Sequence, residues 1–262
     1  MTSVRYPAVA GMFYPDDPVE LDEMIRTFLA EAEETEGPVP KAIIAPHAGY
    51  IYSGPVAASA YRRLLPARET IKRVVLLGPA HRVPFRGLAI PSADFFITPL
   101  GTVAVDKAAI DEIADLPFVH RSDVPHQPEH SLEVHLPFLQ EVLEDFKVVP
   151  IVVGDASPEE VAQVLERLWE GPETLIVVSS DLSHYHDYAT ARRLDSATSR
   201  AIESLDPAAL THESVCGRIP VAGLLLAARK HGLRAKTVDL RNSGDTAGPK
   251  DQVVGYGAYV FY

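Results

Sequence analysis

Cysteine is almost missing from this sequence: Cys216 stands alone among 262 residues. A single cysteine forms no disulfide within its own chain, which excludes a small secreted fold stapled by such bonds. Positive charge is also scarce, with 24 Lys and Arg against 36 Asp and Glu and a formal net charge of −12. Nucleic-acid binding is driven by clustered cations meeting phosphates, so this balance argues against it. No apolar run approaches the ~20 residues of a transmembrane helix. The opening MTSVRYPAVAGMFYP has neither the basic start nor the apolar stretch of a signal peptide. The cytoplasm is the expected setting, with no membrane and no nucleic acid as partner. Familiar catalytic signatures are absent too: there is no HExxH, no CxxC and no GxSxG elbow.

What is present is organised around KAIIAPHAGYIYSG, Lys41 to Gly54. Its short apolar run reads as a buried strand that ends at a proline and delivers His47 into a Gly- and Tyr-rich loop. The same grammar returns at RVVLLGPAH (Arg73 to His81) and at LIVVSSDLSH (Leu175 to His184). Between these runs lie amphipathic helices, among them PVELDEMIRTFLAEAEE after Pro18 and Pro158 to Trp169. Another is expected from Gly54-Pro55 to about Leu65, and one from near His135 to Glu144, since Pro137 is tolerated only in a first turn. Gly87 to Pro91 and Gly101 to Val105 read as short strands separated by the aromatic pair Phe95-Phe96.

Strands alternating with helices predict a single α/β domain over residues 1–262, with a mainly parallel sheet covered by helices on both faces. In such sheets ligands bind beyond the carboxyl ends of the strands. That rule sends His47, His81, Asp181, His184 and Asp245 to one edge. Neutral imidazoles there suit a transition metal or zinc, although two loop histidines serve equally well as strand-end caps. Glu129-His130-Ser131-Leu132-Glu133-Val134-His135 is dense in ionisable groups and reads either as pocket lining or as a capped turn before a helix. Asp181 and His184 suit a general base oriented by a carboxylate. Tyr50 is placed in the pocket or in an aromatic core. Cys216, before a helix, is either a reactive thiol or a small buried residue. Asp245, in the turn Asn242-Ser243-Gly244-Asp245, is the carboxylate best placed to complete a two-His, one-carboxylate set.

The stretches RYPAVAGMFYP, APHAGYIYSG, LLGPAHRVP, EHSLEVHLPFL, VVSSDLSH, CGRIPVAGLLLA and VVGYGAYVF follow one another along nearly the whole chain. Together they resemble the Memo family, whose bacterial and archaeal members are called AmmeMemoRadiSam system protein B. That family resembles the class III extradiol dioxygenases in fold, which are non-haem iron enzymes. The resemblance implies that His47 and His81 are metal ligands and that His184 stands where the dioxygenases keep an acid/base histidine. It also implies a cysteine ligand in the turn before the last strand. This chain reads SGDTAG there, which puts Asp245 in that role and Cys216, with His130, Glu133 and Tyr50, in the pocket wall.

The expected function is therefore a dioxygenase-like oxidoreductase with Fe(II), copper or zinc as the other ions the donors suit. Two alternatives carry different chemistry: an adaptor that keeps the cleft for a peptide, anion or metal without turnover, and a metal-assisted hydrolase. A small molecule or peptide is the expected ligand.

Overall fold

The computed structural model describes residues 1–262. In chain order its strands are β1 (Val4–Arg5), β2 (Ala42–Ala45), β3 (Arg73–Pro79), β4 (Leu88–Ile90), β5 (Phe95–Thr98), β6 (Gly101–Val105), β7 (Val119–Arg121), β8 (Lys147–Val153), β9 (Thr174–Ser179), β10 (His184–His186), β11 (Ala235–Asn242) and β12 (Val253–Phe261). The helices are α1 (Pro18–Glu31), α2 (Tyr50–Tyr61), α3 (Lys107–Ile113), α4 (Leu136–Val142), α5 (Pro158–Leu168), α6 (Tyr188–Glu203) and α7 (Arg218–Lys230).

All strands join one mixed sheet, with the path β1-β5-β6-β8-β3-β9-β2-β12-β10. Its middle is parallel, from β6 through β8, β3 and β9 to β2. Every residue of β2 and of β9 is buried. Successive side chains point to opposite faces, so both faces of these strands must be covered. Helices supply that cover. α3, α5 and α7 pack together, as do α1, α2 and α4. β12 closes the parallel block by pairing antiparallel with β2, and β11 and β10 pair with β12. No helix is long and apolar enough to cross a membrane.

Register decides where the functional residues emerge. Ala45 lies beside Ser179, and Leu77 beside Val178. The three apolar runs therefore end level with one another, and the loops that follow them share one edge.

Two elements differ from the sequence-based expectation. α2 starts at Tyr50 rather than at Gly54, which leaves Pro55 inside it. The Tyr50 backbone N–H donates to Phe13 O, and its buried ring packs against Tyr14 and Phe138. Burial of that ring draws the helix start back by four residues, outweighing the preference of proline for a first turn. Phe95-Phe96 is not a gap but part of β5, with alternating burial and antiparallel pairing to β6.

Candidate metal centre

His47 follows β2 after the turn at Pro46. Its backbone N–H donates to Asp181 Oδ1 at 2.8 Å, and its ring Nδ1 pairs with Ser179 Oγ at 2.7 Å. Ser179 ends β9 and Asp181 follows it two residues on, so the end of β9 holds both the backbone and the ring of His47. The ring then turns Nε2 toward Cys216 Sγ, 3.4 Å away. Asp181 Oδ2 lies 3.8 Å from the same nitrogen.

Cys216 is brought there by the start of α7. Its Sγ accepts the Asp181 backbone N–H at 3.2 Å, and the Gly217 N–H donates to Ser180 Oγ at 2.9 Å. A Cβ on Gly217 would lie 2.8 Å from Ser179 O and 2.9 Å from the Ser180 side chain. Only glycine allows α7 to approach β9 this closely, and that approach delivers the thiol.

His81 follows β3 and is held by Glu129. The carboxylate accepts the His81 backbone N–H at 2.6 Å, the ring Nδ1–H at 2.7 Å and the Ser131 N–H at 3.0 Å. Burial pushes the Glu129 carboxyl up, but the two His81 donors and the Ser131 N–H outweigh it and hold the group at about 2. An ionised carboxylate only accepts, so Nδ1 must carry the proton, which leaves Nε2 as the ring atom that can face a ligand. The loop that carries Glu129 lies tight against β3. A Cβ on Gly78 would sit 2.7 Å from Ser131 Oγ, which itself donates to Pro79 O.

His47, His81 and Cys216 each place a ligand atom within 4.8 Å of the others, and so do His81, Glu129 and His130. The His130 ring stacks on His81 with centroids 4.6 Å apart, and both rings stand edge-on to His47 at 5.5 and 5.0 Å. Burial, then the neighbouring His81 and His130, hold the His47 imidazole well below its ordinary range. Burial, then His81, lowers His130 as well. Imidazoles lowered in this way, as His47 and His130 are, suit a cation between them rather than protons on them. The thiol agrees: burial and the Asp181 charge push Cys216 up to about 12. A bound cation is what would lower it and release the thiolate. The donor set fits a transition metal.

Other candidates divide sharply. Asp245 is exposed, and its carboxylate accepts the Asn242 N–H at 3.0 Å and the Tyr188 hydroxyl at 2.5 Å. It closes a capping box in the turn after β11 and is not among the clustered ligands. Cys216, not Asp245, is the third group clustered with His47 and His81. Glu133 is not pocket lining: wholly buried, it pairs with Arg5 and accepts from Ala8, Val9 and Tyr14. Tyr50 donates its hydroxyl to Val134 O and belongs to the aromatic core. Asp181 is buried near the cluster, with its carboxyl raised by burial, but its hydrogen bond goes to His47 and not to His184. His184 sits half-buried on β10 opposite Val254, near enough for its charge to act on Asp181 and His47. The role of Glu129 was not apparent from the sequence. Its spacing matches that of Glu133, and no local pattern tells which of the two turns toward His81.

An α/β sheet with a His, His, Cys cluster beyond its parallel strand ends defines a protein with candidate metal-binding residues at the usual ligand edge. A family model described as Memo-like protein matches residues 5–260. A "MEMO1 family protein" of Aquifex aeolicus is 39% identical over 98% of this chain and 99% of its own length. Proteins of the same description from Archaeoglobus fulgidus and Thermotoga petrophila are 37% and 39% identical, covering 98% and 96% of this chain and 99% and 97% of their own lengths. The chain belongs to the Memo family. Among solved structures, uncharacterized protein JW3007 from Escherichia coli K12 superposes with a TM-score of 0.51 at 12% identity, covering 84% of this chain and 99% of that one. That likeness is one of fold.

Proposed function

We propose that this protein is a metal-dependent, dioxygenase-like oxidoreductase of the cytoplasm, with His47, His81 and Cys216 as the ligands of a non-haem metal ion. The observation that carries this reading is the meeting of three donor atoms from three separate elements within 4.8 Å. Fe(II) is the leading ion. Copper and zinc also suit imidazole, and thiolate favours Cu(I) and zinc. When bound, the ion would supply redox chemistry and polarise a small-molecule or peptide ligand.

The chain's own residues have separable tasks. Glu129 fixes the His81 tautomer, while Ser179 holds the His47 ring and Asp181 its backbone N–H. The Asp181 carboxyl, raised by burial, accepts the His47 backbone N–H and lies 3.8 Å from His47 Nε2. His184 moves protons between this interior and solvent from its half-buried strand. His130 and Phe13, with ring centroids 4.6 Å apart, close the approach over His81.

The test is metal analysis of untagged protein after anaerobic loading with Fe(II), Cu(I) or Zn(II). One equivalent in the wild type is expected, lost in His47→Ala, His81→Ala and Cys216→Ser with circular dichroism unchanged. Oxygen uptake with a panel of catechols then reads the oxidoreductase activity, which His184→Ala should lower without lowering metal content. Absence of bound metal under all three loadings would sink the reading and favour a cleft used for binding alone.

A further inference from the structure

Cys216 lines a cavity of about 280 Å³ whose wall also includes Phe85, Ile219 and Arg218. Ligand pockets usually measure about 300–1,000 Å³, so its occupant is small. Arg218 is the unusual member. Its Nε–H is shut away from water with no hydrogen-bond partner, and no carboxylate pairs with its guanidinium. Its only polar contact is Nη2 to His212 Nε2 at 3.0 Å. Arg218 lines the cavity without an acid beside it.

We infer that Arg218 binds the carboxylate of a small organic monoanion, whose apolar body lies between Phe85 and Ile219 and reaches Cys216. The guanidinium fork suits a carboxylate because two of its N–H groups can meet both oxygens at once. The walls favour an apolar body over free phosphate. Asp155, exposed on the lining, disfavours a doubly charged ligand more than a singly charged one. As a substrate class this rests on the reading of His47, His81 and Cys216 as the reacting centre, because Cys216 is shared by the cluster and the cavity.

The experiment titrates benzoate, inorganic phosphate and benzyl alcohol into the full chain by calorimetry, in metal-loaded and chelator-stripped protein. Benzoate is expected to bind both forms, with benzyl alcohol and phosphate at least tenfold weaker. Arg218→Gln should weaken benzoate at least tenfold with metal content unchanged, and Arg218→Lys should restore part of the loss. Ile219→Glu, which adds a negative charge to the wall, should weaken it as well and serves if Arg218→Gln does not fold. Unchanged benzoate affinity in these variants would overturn the inference. So would binding confined to metal-loaded protein, which would put the anion on the ion, or phosphate binding tighter than benzoate. If the wild type takes up no metal but still binds benzoate through Arg218, the anion site stands and the metal reading alone fails.

Discussion

Glu129 and Glu133 stand four residues apart in one segment, both almost wholly buried, and they serve different parts of the molecule. Glu129 accepts from His81, a ring that can exchange its proton and offer its other nitrogen to a ligand. Glu133 accepts from Arg5, Ala8, Val9 and Tyr14, donors that lock the N-terminal segment to the segment leading into α4. Arg5 also donates to the carbonyls of His126 and Glu129, so the structural knot sits directly behind the site. A buried carboxylate is architectural when its partner is permanently charged and functional when its partner is a titratable ligand. Partner identity, not burial, separates the two.

Breaking the structural carboxylate should have the largest effect. Glu133→Ala leaves the Arg5 guanidinium, itself buried, without its counter-charge, and removal of one partner from a buried pair costs about 3–5 kcal/mol. Urea unfolding should show that loss. Protein that remains folded should still hold its full complement of metal. A loss of metal with stability unaltered would place Glu133 in the site after all.

Acid should act next, through the histidines of the same region. Burial lowers His135 to about 3 and His126 to about 4. Both therefore bind protons more readily unfolded than folded. Their contribution to stability is present above about 6.5, the ordinary histidine value, and falls away as pH drops toward their folded values. His135 alone should cost about 2 kcal/mol at pH 5 relative to pH 7.5, at about 1.4 kcal/mol per pH unit below 6.5. Its Nε2 is buried without a partner, so a second proton there finds no acceptor. Equal unfolding midpoints at the two pH values would contradict this.

The functional carboxylate sharpens the comparison from the other side. Glu129→Gln keeps an acceptor for His81 but removes the charge that fixes its ring. Loss of such a supporting partner typically weakens metal affinity by about 10–100-fold. Competition with a chromophoric chelator reads this directly. If affinity holds while the unfolding midpoint collapses, Glu129 is a second Glu133.

Much of this arrangement was legible before the structure. Apolar runs at Ala42–Ala45, Arg73–Pro79 and Thr174–Ser179 are strands, because a strand buried on both faces needs no alternation. His47 and His81 reach one edge because parallel strands end level. The rest depended on contacts between distant segments. Cys216 joins His47 across 169 residues through the close approach of Gly217, which no local pattern displays. Asp245 looked like a ligand because a carboxylate in a turn near the last strand has the right chemistry. A capping turn uses the same residues for another purpose. The sequence leaves Tyr50 open between pocket and aromatic core and Glu133 between pocket lining and a capped turn; packing puts both side chains in the interior.

Asp245 provides the smallest effect and the cleanest contrast with Cys216. In Asp245→Asn the side-chain carbonyl can still accept the Asn242 N–H, and the amide NH2 in the other oxygen's place can donate to the Tyr188 hydroxyl, so the turn keeps its shape. An exposed substitution of this kind should move stability by no more than about 0.5 kcal/mol. Metal content should match the wild type, while Cys216→Ser, which swaps a soft donor for a hard one at the cluster, should lose it. The two variants change one atom type each, one at the position the sequence put forward as third ligand and one at a position it placed in the pocket wall. Metal lost from Asp245→Asn and kept in Cys216→Ser would reverse the assignment of the third ligand and require the turn after β11 to move toward His47.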